Sequence, residues 1–343
     1  MQRALDFTFI SNPLGPSNKA RHAMRKSCKT VPRFPDTEEE SLTRYLCSVE
    51  KVSAAQMLLG HGSSHILSLL LHALKPKSML VPSPCPRACE ELLQTHGVEM
   101  RAFPLERAKG FILDVRGFEE VWKGAEAALV LSPHNPTGAM ASEESLTRLV
   151  ETSKRLNKPL IIDGGLAEFA GVQRYGRYVC GSTHALYLGT FSSYHALAGL
   201  RLGYAVGPEA LLRQLRTIMG PRPPNAVALA AALASLKDKG YRKRTSAFLA
   251  GEQAYVLKKM EGRATIRATI ELSETPWGFL IYMRPSLADL KQRFFDRGML
   301  VEVYTDAQGH QYLSFPLRSH PQNARFLRAL HGILREQKTN DQG

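Results

Sequence analysis

Between residues 56 and 206 short apolar runs alternate with helix-like stretches, and that alternation leaves few folds open to the chain. Gln56 to Leu59, Ser78 to Pro82, Val98 to Phe103, Ala127 to Leu131 and Pro159 to Asp163 read as strands. Ala185 to Thr190 and Arg201 to Val206 add two more. His65 to Leu74, Cys89 to His96 and Glu143 to Leu156 read as helices between them. A run such as Ala127-Ala128-Leu129-Val130-Leu131 has no polar alternation, so it is expected to be covered on both faces. The expected class is α/β, a mostly parallel mixed sheet under helices. After the helix-rich stretch Ala226 to Met260 the order changes. Phe279 to Met283, Met299 to Tyr304 and Gln311 to Pro316 read as strands, and Ser286 to Asp296 and Pro321 to Glu336 as helices, which makes a small α+β domain. The expected boundaries are 1–47 as an N-terminal part of the small domain, 48–250 as the large domain, 251–337 as the rest of the small domain, and 338–343 as a disordered tail.

A chain of 343 residues, 44% hydrophobic and 22% charged, suits a soluble two-domain protein. Met1 to Phe7 carries no long apolar run, and no window approaches the length of a membrane span, so neither a signal peptide nor a membrane helix is expected. Five cysteines, an odd number, fit a reducing cytoplasm better than a disulfide framework. The net charge of +14 favours anions, either phosphorylated small molecules or nucleic acid. The Lys and Arg residues look spread along the chain, and the densest cluster, Lys239 to Arg244, comes with no nucleic-acid-binding motif. The charge therefore reads as a generally basic surface, and nucleic acid is not the expected partner.

Four segments carry chemistry. Gly60-His61-Gly62-Ser63-Ser64 follows a strand and opens a helix. Gly62 lets the backbone approach a ligand, and the free amides and hydroxyls of Ser63 and Ser64 favour an anion. A plain strand-to-helix turn capped by Ser reads equally from these residues. Ser132 to Gly138 follows a buried strand and offers the Asn135 side chain in a loop stiffened by prolines, or else a simple Asn-Pro turn. Asp163 ends its strand where α/β proteins bind ligands, although a turn aspartate would sit there too. In Thr190 to Tyr204, the hydroxyls of Thr190 and Ser192 and the Arg201 guanidinium can hold a phosphate.

Taken together and in this order, these segments resemble the class I/II aminotransferases of pyridoxal-phosphate (PLP) fold type I. With Asn12 to Pro16 and Arg33-Phe34-Pro35-Asp36, they look most like the branch holding threonine-phosphate decarboxylase and histidinol-phosphate aminotransferase. The resemblance implies a PLP-transferase large domain, a small domain and a homodimer. It implies that Gly62, Ser63, Ser64, Thr190, Ser192 and Arg201 hold the cofactor phosphate. Asp163 would pair with the ring nitrogen, and Asn135 would bond the phenolic oxygen. The departures are equally ordered. Ser193, eight residues before Arg201, stands where the family's Schiff-base lysine belongs. Leu166 stands for the tyrosine of Asp-x-x-Tyr, Pro86 for the ring-stacking aromatic and Phe34 for the partner-chain tyrosine. Leu313-Ser314 replaces the arginine for a substrate carboxylate, and Arg318 is left as a candidate anion grip.

Ser193 cannot form an imine, and its hydroxyl is a poor base at neutral pH. His195 is the candidate replacement base, because imidazole titrates near neutrality. His61, His134 and His195 show no metal-ligand spacing, and Cys85 and Cys89 read as packing residues. Three functions follow. The first is an aminotransferase-like or decarboxylase-like protein that binds PLP, pyridoxamine 5'-phosphate (PMP) or a related phosphorylated ligand non-covalently with impaired catalysis, in a cobalamin-type pathway. The second is an active lyase or transaminase of amino-acid or cobalamin metabolism that uses His195. The third is a non-enzymatic anion or nucleic-acid binder.

Overall fold

The computed structural model describes residues 4–172, 175–220, 224–261, 270–284, 286–306 and 308–341. The chain forms two compact units, Met1–Leu14 with Gly240–Gly343, and Gly15–Lys239. The first contains β1 (Leu5–Asp6) and most of the chain's C-terminal third.

The larger unit holds α1 (Asn18–Ser27), α2 (Asp36–Glu50), β2 (Met57–Gly60), α3 (Ser63–Leu74), β3 (Ser78–Ser83), α4 (Arg87–Thr95) and β4 (Glu99–Pro104). It continues with α5 (Val115–Trp122), β5 (Ala127–Leu131), α6 (Glu143–Leu156), β6 (Leu160–Asp163), α7 (Gly176–Val179), β7 (Ala185–Thr190), β8 (Gly203–Val206), α8 (Glu209–Met219) and α9 (Ala226–Leu236). Its sheet has the order β2-β8-β7-β6-β5-β3-β4. β8 runs antiparallel to both its neighbours, and the other pairs are parallel, so the sheet is mixed but mostly parallel. The continuous apolar runs are explained by two cores. Ala128, Val130, Leu160, Ile162 and Tyr187 face one; Ala127, Leu129, Leu131, Ile161, Leu186 and Leu188 face the other. Strand side chains alternate between faces, so both faces need apolar residues when both are covered.

The smaller unit adds α10 (Lys239–Glu261), β9 (Ile270–Thr275), β10 (Gly278–Met283), α11 (Leu290–Phe295), β11 (Met299–Leu300), β12 (Val303–Thr305), β13 (Gln311–Pro316) and α12 (His320–Asp341). β12, β13, β10 and β9 form an antiparallel sheet, and β1 pairs with β11 in parallel. Its core is aromatic: the Phe315 and Phe326 rings stack at 3.9 Å, and Phe7 meets Phe326 at 4.9 Å.

Two expectations differ from this picture. The units divide at 14/15 and 239/240, whereas 47/48 and 250/251 were expected. The reason is α9, an almost wholly Ala/Leu/Val helix that is apolar all round and so must be covered; α1 and α2 both pack on it. Beyond Gln337, α12 continues to Asp341 instead of ending in a disordered tail, since no Gly or Pro interrupts residues 338–341. Residues 342 and 343 of that expected tail lie outside the described residues.

Candidate functional site

The C-terminal ends of β2, β5, β6 and β7 bring the expected site residues to one edge of the sheet. Asp163 ends β6, Thr190 ends β7, and the loops after β2 and β5 carry Gly62 to Ser64 and Ser132 to Gly138. Register sets the spacing. Gly203 of β8 pairs with Gly60 on one side and Thr190 on the other. A Cβ on Gly203 would lie 2.5 Å from the Ser63 amide nitrogen and 2.8 Å from the Gly62 carbonyl carbon. Only glycine lets β8 carry the first turn of α3 this closely.

The chemistry of that turn suits an anion. Gly62 is the N-cap of α3 with φ 97°, and the first amides of the helix, from Ser63 on, have no acceptor within the helix. A side chain at Gly62 would stand 2.9 Å from Arg201 Nη2, so the guanidinium lies directly over the glycine. Arg201 itself is held at φ 51°, a left-handed conformation that an L-residue adopts only when its surroundings demand it. Its guanidinium is exposed and has no carboxylate partner among the described residues. Thr190 Oγ1 accepts from the Ser192 amide at 3.2 Å and lies 3.1 Å from Ser192 Oγ, which gathers two hydroxyls at the same strand end. Ser63 is half-buried and Ser64 exposed.

Asp163 is half-buried and accepts from the Gly165 amide at 2.8 Å. Burial raises its carboxyl above the ordinary range, and the Gly165 bond offsets part of that. A Cβ on Gly165 would stand 3.0 Å from Asp163 Oδ1 and 3.2 Å from Thr190 Cγ2, so carboxylate and threonine flank one small residue. Asn135 Oδ1 is buried with no hydrogen-bond partner among the described residues. Its loop is fixed from within: His134 Nδ1 lies 2.9 Å from Thr137 Oγ1, and the Gly138 amide donates to the His134 carbonyl at 2.7 Å. Burial pushes His134 down to about 4, so it is neutral at pH 7.

Ser193 lies buried in the loop between β7 and β8, and its carbonyl accepts from the Ala196 amide. His195 is 3% exposed, and both ring nitrogens are engaged. Nδ1 lies 2.7 Å from Ser235 Oγ on α9, and Nε2 lies 2.9 Å from Glu168 Oε2. The ring also packs against Phe191 and Tyr194. A base needs a lone pair directed at its proton; this imidazole is instead a bridge between the loop after β6 and α9. His61 meets His65 edge-on at 5.3 Å, so the three histidines singled out in the sequence go to different neighbours.

Arg318, expected as an anion grip, serves the smaller unit. Nε donates to the Asp6 carbonyl at 3.0 Å, Nη2 to the Phe9 carbonyl and Nη1 to the Leu317 carbonyl, and the group lies over the Phe7 ring. It staples the N-terminal segment. Ser314 is buried in β13, Leu166 is buried, and Phe34 is 64% exposed. Glu168 and Ser235 escaped sequence reasoning, as did Glu50, a buried carboxylate that accepts from the Tyr204 hydroxyl and the Gly176 amide at 2.9 Å each. Their partners lie far off in sequence, and the one available signal was an acidic residue five positions after Asp163.

Residues 7–307 match the family model for aminotransferase class I and II. The chain is 25% identical to the threonine-phosphate decarboxylase of Salmonella typhimurium over 334 residues, 96% of this chain and 91% of that protein. It is 29% identical to the histidinol-phosphate aminotransferase of Symbiobacterium thermophilum over 338 residues, 95% of this chain and 89% of that protein. Among solved structures, the histidinol-phosphate aminotransferase of Clostridium acetobutylicum superposes with a TM-score of 0.84 at 18% identity, over 97% of this chain and 99% of that one. The Sinorhizobium meliloti histidinol-phosphate aminotransferase, solved in complex with pyridoxal-5'-phosphate, does so with a TM-score of 0.81 at 17% identity, over 98% and 92%. No helix among the described residues is long and apolar enough to cross a membrane. By fold, by motif and by the match over most of its length, the chain belongs to the class I and II aminotransferase family, the PLP-dependent proteins of fold type I.

Proposed function

We propose that this protein binds PLP or PMP non-covalently, as a threonine-phosphate decarboxylase-like or histidinol-phosphate aminotransferase-like homodimer in the cytoplasm, and has lost lysine-dependent turnover. The observation that carries the reading is selective loss. Groups suited to a phosphate and a ring gather at one edge of the sheet, which supports the reading, while Ser193 stands eight residues before Arg201, where the resemblance expects the covalent anchor.

The fit of the residues supports the cofactor. Gly62 and Gly203 keep the cradle clear of side chains, and the Asn135 amide nitrogen would donate to the phenolic oxygen. The amides of α3's first turn, the hydroxyls of Ser63, Thr190 and Ser192, and the Arg201 guanidinium would hold the phosphate. Asp163 would accept from a protonated ring nitrogen, which stabilises its carboxylate in a buried place. Bound there, the pyridine ring supplies an electron sink for amino-acid chemistry. The chain's own residues then bind and orient, but nothing moves a proton: Ser193 is a weak base, and His195 has both nitrogens taken. Loss of a positioned base alone costs about 10²–10⁴-fold in rate.

The test is a titration of purified protein with PLP and with PMP, followed by absorbance and calorimetry. Saturable binding of both at one site, reversed by dialysis and without borohydride-trapped adduct, is the expected result. No binding of either, or turnover of phosphothreonine or histidinol phosphate at ordinary enzyme rates, would overturn the reading.

A further inference from the structure

The positive charge that looks spread in the sequence is concentrated by the fold. Between Asn18 and Pro35 there are six Lys and Arg and no Asp or Glu. Within α1, Ala20, Ala23, Met24 and Ser27 recur at the i, i+3, i+4, i+7 spacing and turn inward, where α1 packs on α9. Every other position up to Lys26 is exposed: Asn18, Lys19, Arg21, His22, Arg25 and Lys26. Lys29 and Arg33 continue the exposed basic run past the helix end. Arg25, Lys26, Lys29 and Arg33 take part in no ion pair among the described residues, and Lys19 reaches only the Lys237 carbonyl, at 3.3 Å. Asp36, Glu38 and Glu39 in the first turn of α2 form no ion pair with them among the described residues, and Glu40 pairs along its own helix with Arg44.

A helix whose solvent arc carries Lys19, Arg25 and Lys26 beside the neutral Asn18 and His22, with Lys29 just past its end, holds several unneutralised charges together within about 15 Å. Long, unpaired side chains with no pocket between them suit a row of phosphates, which such side chains bind by charge and counterion release without reading bases. An acidic protein surface would offer fewer charges per unit length than a nucleic-acid backbone. We propose that the outer face of α1, continued to Lys29, is a docking surface for the phosphate backbone of nucleic acid, independent of base sequence.

The test uses the full chain and two labelled DNA duplexes of unrelated sequence, followed by fluorescence anisotropy against salt. Four engaged cations, Lys19, Arg25, Lys26 and Lys29, give a log–log salt slope of about −3.6, or about a 150-fold loss of affinity between about 50 and 200 mM salt. Both duplexes should bind alike. The variant R25Q/K26Q/K29Q should reduce the steepness of the slope by about 2.7, while K243Q/K258Q on α10 leaves it unchanged. Circular-dichroism melts of the variants establish that both fold. No binding at about 50 mM salt, or a triple variant with the parental slope, would refute the surface. Displacement by polyglutamate as effective as by DNA at equal charge would show an acidic protein to be the partner instead.

Discussion

Gly203→Ala tests the geometry that makes the anion cradle. The added Cβ would meet the Ser63 nitrogen at 2.5 Å, about 0.9 Å inside ordinary van der Waals contact. It would also meet the Gly62 carbonyl carbon at 2.8 Å and the Gly189 carbonyl oxygen at 2.9 Å. All three neighbours are backbone, on two different elements, so no rotamer change relieves the clash. Either α3 rises off β8 or the β7–β8 pairing opens. Overpacking of this kind costs about 1–3 kcal/mol, readable as a lower urea midpoint with an unchanged slope. A helix start displaced by close to 1 Å no longer presents its amides at the phosphate, which is expected to weaken PMP binding about 10–100-fold. Urea denaturation reads the first effect without any ligand; calorimetry with PMP reads the second. If Gly203→Ala matches the parent in both, the close approach of α3 to β8 does not organise the cradle and the reasoning is wrong.

Arg201→Gln should weaken PMP binding about 10–100-fold, as expected for a charge-assisted contact, and leave the affinity for pyridoxamine, which lacks phosphate, unchanged; equal losses for both ligands would remove Arg201 from the phosphate site. His195→Ala strands the buried Ser235 and removes the partner of the half-buried Glu168, so it should cost about 1–3 kcal/mol of stability while PMP affinity stays within a few-fold; an unchanged urea midpoint would contradict the bridging role. His134 has its folded pKa depressed from 6.5 to about 4. The unfolded chain therefore takes up the proton first, and stability present above pH 6.5 drains away as pH falls toward 4, by about 3 kcal/mol in all. Denaturation against pH checks this: His134→Asn should flatten the loss across that window, and an equal slope in parent and variant would refute it.

Much of the larger unit was legible because its signals are local. β7, β13 and α6 begin and end where their apolar runs and capping residues do, since strand burial on two faces and helix capping leave their mark within a few residues. The residues of the proposed cradle could be named for the same reason: Gly62, Ser63, Thr190, Ser192 and Arg201 lie on short segments whose chemistry is written in consecutive residues. α5, α8 and β9 were not found, α8 despite Gly207-Pro208 before it and Gly220-Pro221 after it. The unit boundary was missed because it depends on α1 and α2 covering α9, a contact between segments about 200 residues apart.

The residue types alone decided that no imine can form at position 193 and that groups able to hold a phosphate are carried by the chain, because both depend on which atoms the side chains carry. Packing alone decided the rest. Arg318 and His195 are chemically able to grip an anion or take a proton, yet one is stapled to the Asp6 and Phe9 carbonyls and the other is bonded at both nitrogens. The cations of α1, scattered among apolar residues in the sequence, become one charged face only when the helix turns its small residues toward α9. A side chain's chemistry is local, but its availability is set by what distant segments bring against it.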